Sequence, residues 1–372
     1  MTKRKTINTS EQLIGDILNK YDEQCVIFEE FTSVTHRLIL DLLKSNNLRV
    51  HSVTSRIKTK ESISGKLKKA SEDTYQCLDD IHDICGIRII TYYPDEVDAV
   101  AGIIQKEFNI DYNLSVDKRA ILDPDRFGYL SLHYIAKLSA KRLRLTEYNR
   151  FKKCKTEIQI RSILQHTWAE IEHDLGYKSK LAVPRHIRRR FSQLAGLLEL
   201  ADDTFAQIRD DLTEYEENVS KQIFENPDVV QIDKASVSAF CTTSPLVEQL
   251  DNEIASYSNG KISKGLTEDF IITQVSRLNY ININTIGELI SRYTVHKEDI
   301  FRLATKYLAK AHVQLLIKRH RLTLIKGISL LYLIYQFLYE KYHDTESLSY
   351  ELTQIGIGKK DSYKTAVQLL SD

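Results

Sequence analysis

The sequence lacks several of the features that would assign it a class directly, and each shortage narrows the field. Five cysteines, at positions 25, 77, 85, 154 and 241, are spread thinly over 372 residues, with no C-x-x-C pair and no histidine partner at zinc-ligand spacing. That argues against a structural metal and fits a reducing compartment. There is no excess of one charge: 52 Lys plus Arg stand against 51 Asp plus Glu, a net charge of +1. The chain as a whole is therefore not steered toward nucleic acid or a membrane surface, and any such attraction must come from local patches. No apolar run reaches the roughly 20 residues of a spanning helix. The longest, Ile328 to Tyr339, is interrupted by Gln336 and reads as a buried helix. Met1-Thr2-Lys3-Arg4-Lys5 is basic but is not followed by an apolar signal-peptide core, so a cytoplasmic location with no membrane partner is expected. No sustained internal repeat is visible.

What is present is enough apolar content, 42% of residues, to build two ordinary cores. The most informative stretch runs from Cys154 to Lys180. Lys155 to Arg161 alternates, placing Glu157, Gln159 and Arg161 on one side of a strand and Ile158 and Ile160 on the other. This strand leads into a helix whose Leu164, Trp168, Ile171 and Leu175 fall at three-to-four spacing. A strand with one polar face, delivered into a packed helix, makes a rigid platform for a site.

Residues 9 to 47 read as helices with two apolar stripes, Leu13, Ile14, Ile17 and Leu18, then Leu38, Ile39, Leu42 and Leu43. From Val50 the pattern alternates and carries Arg56 and Lys58 to one side. A helical turn from Glu61 then presents Ser62, Lys66, Lys68 and Lys69. Such a basic cluster is commonly a solvated face, but an Arg fork and a Lys point charge aimed one way also suit a polyphosphate. Ile87 to Tyr92 reads as a buried strand with Asp83 at its entrance and Arg88 inside it. Either these are a capping Asp and a snorkelling Arg, or they are a carboxylate for a divalent ion and a phosphate ligand.

Asp95 to Phe108 reads as an amphipathic helix and Ile110 to Lys118 as a strand. After the turn at Asp123 to Arg126, Gly128 permits close backbone approach, and Tyr129, Ser131 and His133 share a face of the next strand. They serve packing, or Tyr129 stacks a nucleobase. Lys141 to Lys155 is strongly basic, as solubilising charge or as a phosphate-tracking patch for RNA. Pro184 to Tyr215 reads as a long closing helix with Phe191, Leu194, Leu197, Leu198, Leu200 and Ala201 inward. Periodicity fades from Asn218 to Ser244. The expected division is therefore 1–218 for the first domain, 219–246 for a linker, and 247–372 for a helical domain ending in a polar tail from Asp344.

Asp83 and Glu157 on strands, cations ahead of the first and a Gly-Tyr element between them are the parts of a phosphoryl-transfer site. The motifs Arg56-Ile57-Lys58 with Ser62 and Lys66, Asp83-Ile84-Cys85-Gly86-Ile87-Arg88, Gly128-Tyr129-Leu130-Ser131-Leu132-His133 and Glu157-Ile158-Gln159-Ile160-Arg161 recur in the order of the RelA/SpoT synthetase domain, which residues 50 to 180 resemble. The resemblance implies an α+β fold, a nucleotidyltransferase-like mixed β-sheet flanked by helices, here followed by an all-α C-terminal domain. It implies transfer of the β,γ-diphosphate of ATP to a ribose 3′-hydroxyl. Arg56, Lys58, Ser62, Lys66 and Arg88 would hold the ATP phosphates. Asp83 and Glu157 would be catalytic and bind Mg²⁺, while Tyr129, His133, Gln159 and Arg161 would receive the acceptor.

The acceptor is GTP or GDP in the alarmone-making members, giving (p)ppGpp. The usual Asn before Gly-Tyr, and the basic residue two positions earlier, are here Phe127 and Asp125. Phe127-Gly128-Tyr129 is similar to the toxic small synthetases that pyrophosphorylate the tRNA 3′ end, so tRNA stands as the alternative acceptor and a toxin-antitoxin role with it. An inactive RNA-binding or sensor module is a third reading, against which the intact Asp83 and Glu157 speak. No hydrolase domain is expected ahead of the synthetase. The resemblance leaves homo-oligomerisation open, and also inhibition by the C-terminal half, where Tyr332 and Tyr335 or Tyr339 and Tyr342 would insert into the ATP site. Tyrosines at three-residue spacing on an apolar helix are otherwise core.

Overall fold

The structure, a computed structural model, describes residues 2–70, 74–117, 131–175, 184–309 and 323–370. It divides into two compact units, Met1–Arg209 and Asp210–Asp372.

The first unit is built on a mixed sheet of order β1-β2-β6-β5-β3, with β4 beside β5. The strands are β1 (Ser52–Ile57), β2 (Cys85–Thr91), β3 (Phe108–Ile110), β4 (Val116–Asp117), β5 (Leu132–Leu138) and β6 (Thr156–Ser162). β2 runs antiparallel to β1 and parallel to β6, and β5 is antiparallel to β6. The parallel pair needs a crossover, and α3 (Asp95–Glu107) lies within it. One face of the sheet is apolar. Ile87, Ile89, Ile158 and Ile160 are buried there with Val97, Val100 and Ile104 of α3 and Phe31, Ile39 and Leu43 of α1 (Thr2–Ser45). Each such side chain, once fully buried, contributes about 1.5–3 kcal/mol.

The helical expectation for residues 9 to 47 becomes one helix, α1. No proline occurs in that stretch, and Gly15 faces open space, so nothing divides the two stripes. The strand expected over 110–118 is divided. The Asp111 carbonyl accepts from the N–H groups of both Leu114 and Ser115, turning the chain between β3 and β4.

After β6, a capping box starts α4 (Ile163–Asp174): Ser162 Oγ accepts from the Gln165 N–H at 3.1 Å, and Gln165 Oε1 accepts from the Ser162 N–H at 3.0 Å. Of the expected inward stripe of α4, Trp168 is buried, whereas Ile171 and Leu175 are exposed. α5 (Arg185–Glu225) corrects the sequence reading further: Leu194, Leu197 and Leu200 are exposed, and Ala195, Asp202 and Val219 are buried. At 41 residues this helix is about 60 Å long, far more than a seven-residue strand can cover. Periodicity alone therefore overstates its buried face.

The second unit is helical: α6 (Lys234–Thr243), α7 (Pro245–Tyr257), α8 (Glu268–Tyr280), α9 (Ile286–Val295), α10 (Lys297–Leu308), α11 (Ile328–Lys341), α12 (Thr345–Gln354) and α13 (Lys359–Leu370). One short parallel pair joins β7 (Lys261–Ile262) to β8 (Thr323–Leu324). The stretch expected as a linker, 219–246, is structured, with α6 bringing Val237 and Phe240 into this core. The polar tail forms α12 and α13, burying Leu348, Leu352 and Leu369. Tyr332 and Tyr335 on α11 are core residues, 4% and 5% exposed, edge to face with each other. No helix among the described residues is long and apolar enough to cross a membrane.

Candidate active site

Register places the site. Arg56 is opposite Gly86, Gly86 is opposite Glu157, and Glu157 is opposite Ile135; one step along, Thr54, Arg88, Gln159 and His133 stand in line. Paired residues share a face. The sheet surface turned away from the apolar core thus carries Thr54, Arg56, Arg88, His133, Glu157 and Gln159, fed by four adjacent strands. A cavity of about 220 Å³ lies over it, lined by Thr54, Ser55, Arg56, Gly86, Arg88, Glu157, Gln159 and Glu170 among others. Gly86 is needed at the centre: a Cβ there would come 3.3 Å from Arg56 Cγ, so the arginine lies across a position with no side chain.

Asp83 stands at the entrance to β2 and Lys58 at the exit of β1, where the Lys58 N–H donates to the Ile84 carbonyl at 2.9 Å. From α1, the Tyr21 hydroxyl donates to the Lys58 carbonyl at 2.8 Å and fixes the strand end. Lys58 Nζ donates to Asp83 Oδ2, and Lys66 Nζ, from α2 (Lys60–Lys69), donates to Asp83 Oδ1 at 2.8 Å. Lys66 also lies over the Tyr75 ring, 5.3 Å from its centre. Burial would raise the Asp83 carboxyl, but the two lysines outweigh it and hold it below the usual carboxylate range.

Glu157 is governed in the same way. Burial and the Asp83 charge push it up, His133 and Gln159 pull it down, and the result is a carboxyl below its ordinary value. His133 Nδ1 is 3.0 Å from Glu157 Oε1, and its Nε2 is 2.8 Å from Ser131 Oγ, so a Ser131–His133 arm orients the acid.

The remaining expected residues are distributed as follows. Arg88 pairs with Glu170 at 3.0 Å. Gln159 lines the cavity and its Oε1 accepts from Arg161 at 2.6 Å, while Arg161 itself is buried and reaches the cavity through that amide. Ser62 sits in the first turn of α2, where its N–H and hydroxyl meet Thr59 Oγ1. Tyr129, with Phe127 and Asp125, lies outside the described residues.

Sequence reasoning missed Thr54, Ser55 and Glu170. The alternation that gave Arg56 also implied Thr54, and the i,i+4 spacing of His166 and Glu170 on α4 was a second signal. His166 Nδ1 is 3.6 Å from that carboxylate, and its ring is held below the ordinary histidine value by burial and by the charges of Arg161 and Arg88. In the basic stretch, Arg142 pairs with Glu107 at 2.6 Å and Arg150 with Glu30 at 2.7 Å.

A mixed sheet flanked by helices, with a cavity over its polar face lined by Arg56, Arg88, Glu157 and Gln159, defines an α+β protein with a charged site on that face. A family model describing the region found in RelA / SpoT proteins matches residues 55–182. GTP pyrophosphokinase YwaC of Bacillus subtilis is 32% identical over 171 residues, 45% of this chain and 78% of the relative. GTP pyrophosphokinase YjbM of the same organism is 27% identical over 176 residues, 46% of this chain and 78% of the relative. Among solved structures, small alarmone synthetase 1 from Bacillus subtilis aligns with 53% of this chain and 99% of its own at 22% identity, with a TM-score of 0.43. The chain belongs to the RelA/SpoT family of GTP pyrophosphokinase-like proteins.

Proposed function

We propose that the first unit transfers the β,γ-diphosphate of ATP to the ribose 3′-hydroxyl of GTP or GDP, releasing AMP and forming a (p)ppGpp alarmone. The observation that carries this reading is a cavity on the polar sheet face lined by Arg56, Arg88, Glu157 and Gln159, with Asp83, held by Lys58 and Lys66, at the entrance to β2. The 3′-oxygen bonds to the β-phosphorus, the bond from that phosphorus to the oxygen bridging toward the α-phosphate breaks, and AMP leaves with that oxygen. The hydroxyl proton passes to Glu157, held ionised and oriented by His133. Arg56, Lys58, Lys66 and Arg88 neutralise phosphate charge, and Ser62 at the start of α2 adds a hydroxyl beside a helix N-terminus.

Carboxylate oxygens are the donors a hard divalent cation takes, and in this reading Asp83 and Glu157 would hold Mg²⁺. When bound, it would offset charge on the transferred phosphates. Tyr129, His133, Gln159 and Arg161 are the acceptor side of this reading. That two relatives are GTP pyrophosphokinases supports a guanine nucleotide there. The ion pairs of Arg142 and Arg150 reduce the charge left for an RNA acceptor.

The test is incubation of the full chain with γ-labelled ATP and either GDP, GTP or bulk tRNA. Label in a guanine nucleotide spot is expected. Label in precipitable RNA would replace the acceptor, and label in neither would overturn the enzymatic reading.

A further inference from the structure

The second unit holds a group of side chains that pyrophosphate transfer does not use. His296 lies between α9 and α10, Asp299 is in the first turn of α10, and Glu340 is in the last turn of α11. One ligand atom from each lies within 4.8 Å of the others. His296 Nδ1 is 3.1 Å from a Glu340 carboxylate oxygen and 3.7 Å from Asp299 Oδ2, yet it makes no hydrogen bond. The imidazole is 12% exposed, so water does not replace the missing partner freely. An imidazole nitrogen and two carboxylate oxygens converging without a hydrogen bond at the nitrogen is an arrangement a cation resolves. Adjacent ligands on an ion about 2.1 Å away stand roughly 3–3.5 Å apart, close to the separations seen.

Three further observations point at the same spot. Gln336, one turn before Glu340 and 3% exposed, donates its Nε2 to Glu340 Oε1 at 2.8 Å, while its buried Oε1 has no partner. A buried amide spent on orienting a half-exposed carboxylate is the usual support of a metal ligand. Glu340 also stands where the helix dipole disfavours a negative charge. Asp299 is oriented too: Arg302 donates to its Oδ1 at 2.8 Å, and Oδ2 is the oxygen nearer His296.

We propose that His296, Asp299 and Glu340 bind a first-row divalent transition-metal ion, zinc foremost, which ties the start of α10 to the end of α11. The cysteine pattern argued against a structural metal because it concerned thiolates; these donors are one imidazole and two carboxylates. An imidazole nitrogen selects such an ion over magnesium or calcium. The site is independent of the carboxylates in the first unit.

The experiment is to strip the full chain with a chelator and titrate it with zinc, reading bound metal per chain and the thermal transition of the second unit. One zinc ion is expected, with an upward shift that millimolar magnesium does not reproduce. His296→Gln and Glu340→Gln should lose that ion, and Gln336→Met should weaken binding about 10- to 100-fold. Asp83→Asn with Glu157→Gln should keep it. Should a variant fail to fold, cobalt in the wild-type chain provides a second reading, through visible absorption that zinc abolishes. No saturable zinc binding, retention of the ion by both ligand variants, or its loss on changing Asp83 and Glu157 would overturn the assignment and leave His296 and Glu340 as a simple ion pair.

Discussion

Burial pushes the Glu157 carboxyl up, and His133 pulls it down; the histidine prevails, so the acid is ionised at neutral pH. A general base must be both unprotonated and aimed, and the 3.0 Å contact with His133 Nδ1 supplies the aim. Glu157→Gln keeps the shape and removes the basicity. Its transfer rate should fall about 10²- to 10⁴-fold in steady-state assays with labelled ATP at saturating nucleotide. A rate within twofold of wild type would remove Glu157 from the proton path. Asp83 makes a separate prediction, in stability. Its folded value lies below the ordinary 3.8, so its contribution is present above that pH and is lost as pH falls through the folded value. Lys66 lies above its ordinary 10.5, so its contribution is present below that pH and is lost as pH rises through the folded value. Asp202, raised by burial despite its bond from Ser162, works the other way in acid. The difference between wild type and Asp83→Asn isolates the first effect. The variant should be less stable near neutrality, and the gap should close below about pH 4 in urea midpoints taken across pH.

Among the elements, β1 and β2 show how closely sequence and site are linked. Gly86 leaves the space that Arg56 crosses, and a methyl at 3.3 Å from Arg56 Cγ is tight but meets an exposed, flexible side chain. Gly86→Ala should therefore fold with a melting temperature near that of wild type while raising the KM for ATP several-fold, because Arg56 is the group that gives way. An unchanged KM would show that Arg56 does not grip the nucleotide. Strands of this kind were legible: β6 alternates because one face is core and the other is site, and the period of two survives in Glu157, Gln159 and Arg161. What crosses between elements was not legible. The His133 contact to Glu157, the two lysines on Asp83 and the arrival of Glu170 from α4 depend on register and docking, which no local period encodes. The long helix α5 was misread for the opposite reason. Leu194, Leu197 and Leu200 keep a helical stripe that lies exposed, so periodicity named a face and could not say what covers it.

On the scale of the whole molecule, most buried apolar residues among the described ones fall into two groups with no member in common. One runs from Ile17 to Ile160 around the sheet, the other from Val219 to Leu369 among the helices. The boundary between the units falls within α5, ahead of the residues expected as a linker. Cooperative melting follows cores rather than chains, so calorimetry of the full protein should resolve two transitions. Each should have its own handle. Non-hydrolysable ATP should raise only the first, through mass action on the unit that holds Asp83 and Glu157. Gly287→Ala should lower only the second, because in α9 an added Cβ would come 2.9 Å from the backbone Cα of Asp228, which cannot swing aside as Arg56 can. Overpacking against backbone costs about 1–3 kcal/mol, enough to move a domain of this size by several degrees. A single transition shifted by both the nucleotide and Gly287→Ala would mean that the two cores melt as one, and that the helical unit and the sheet unit share their stability.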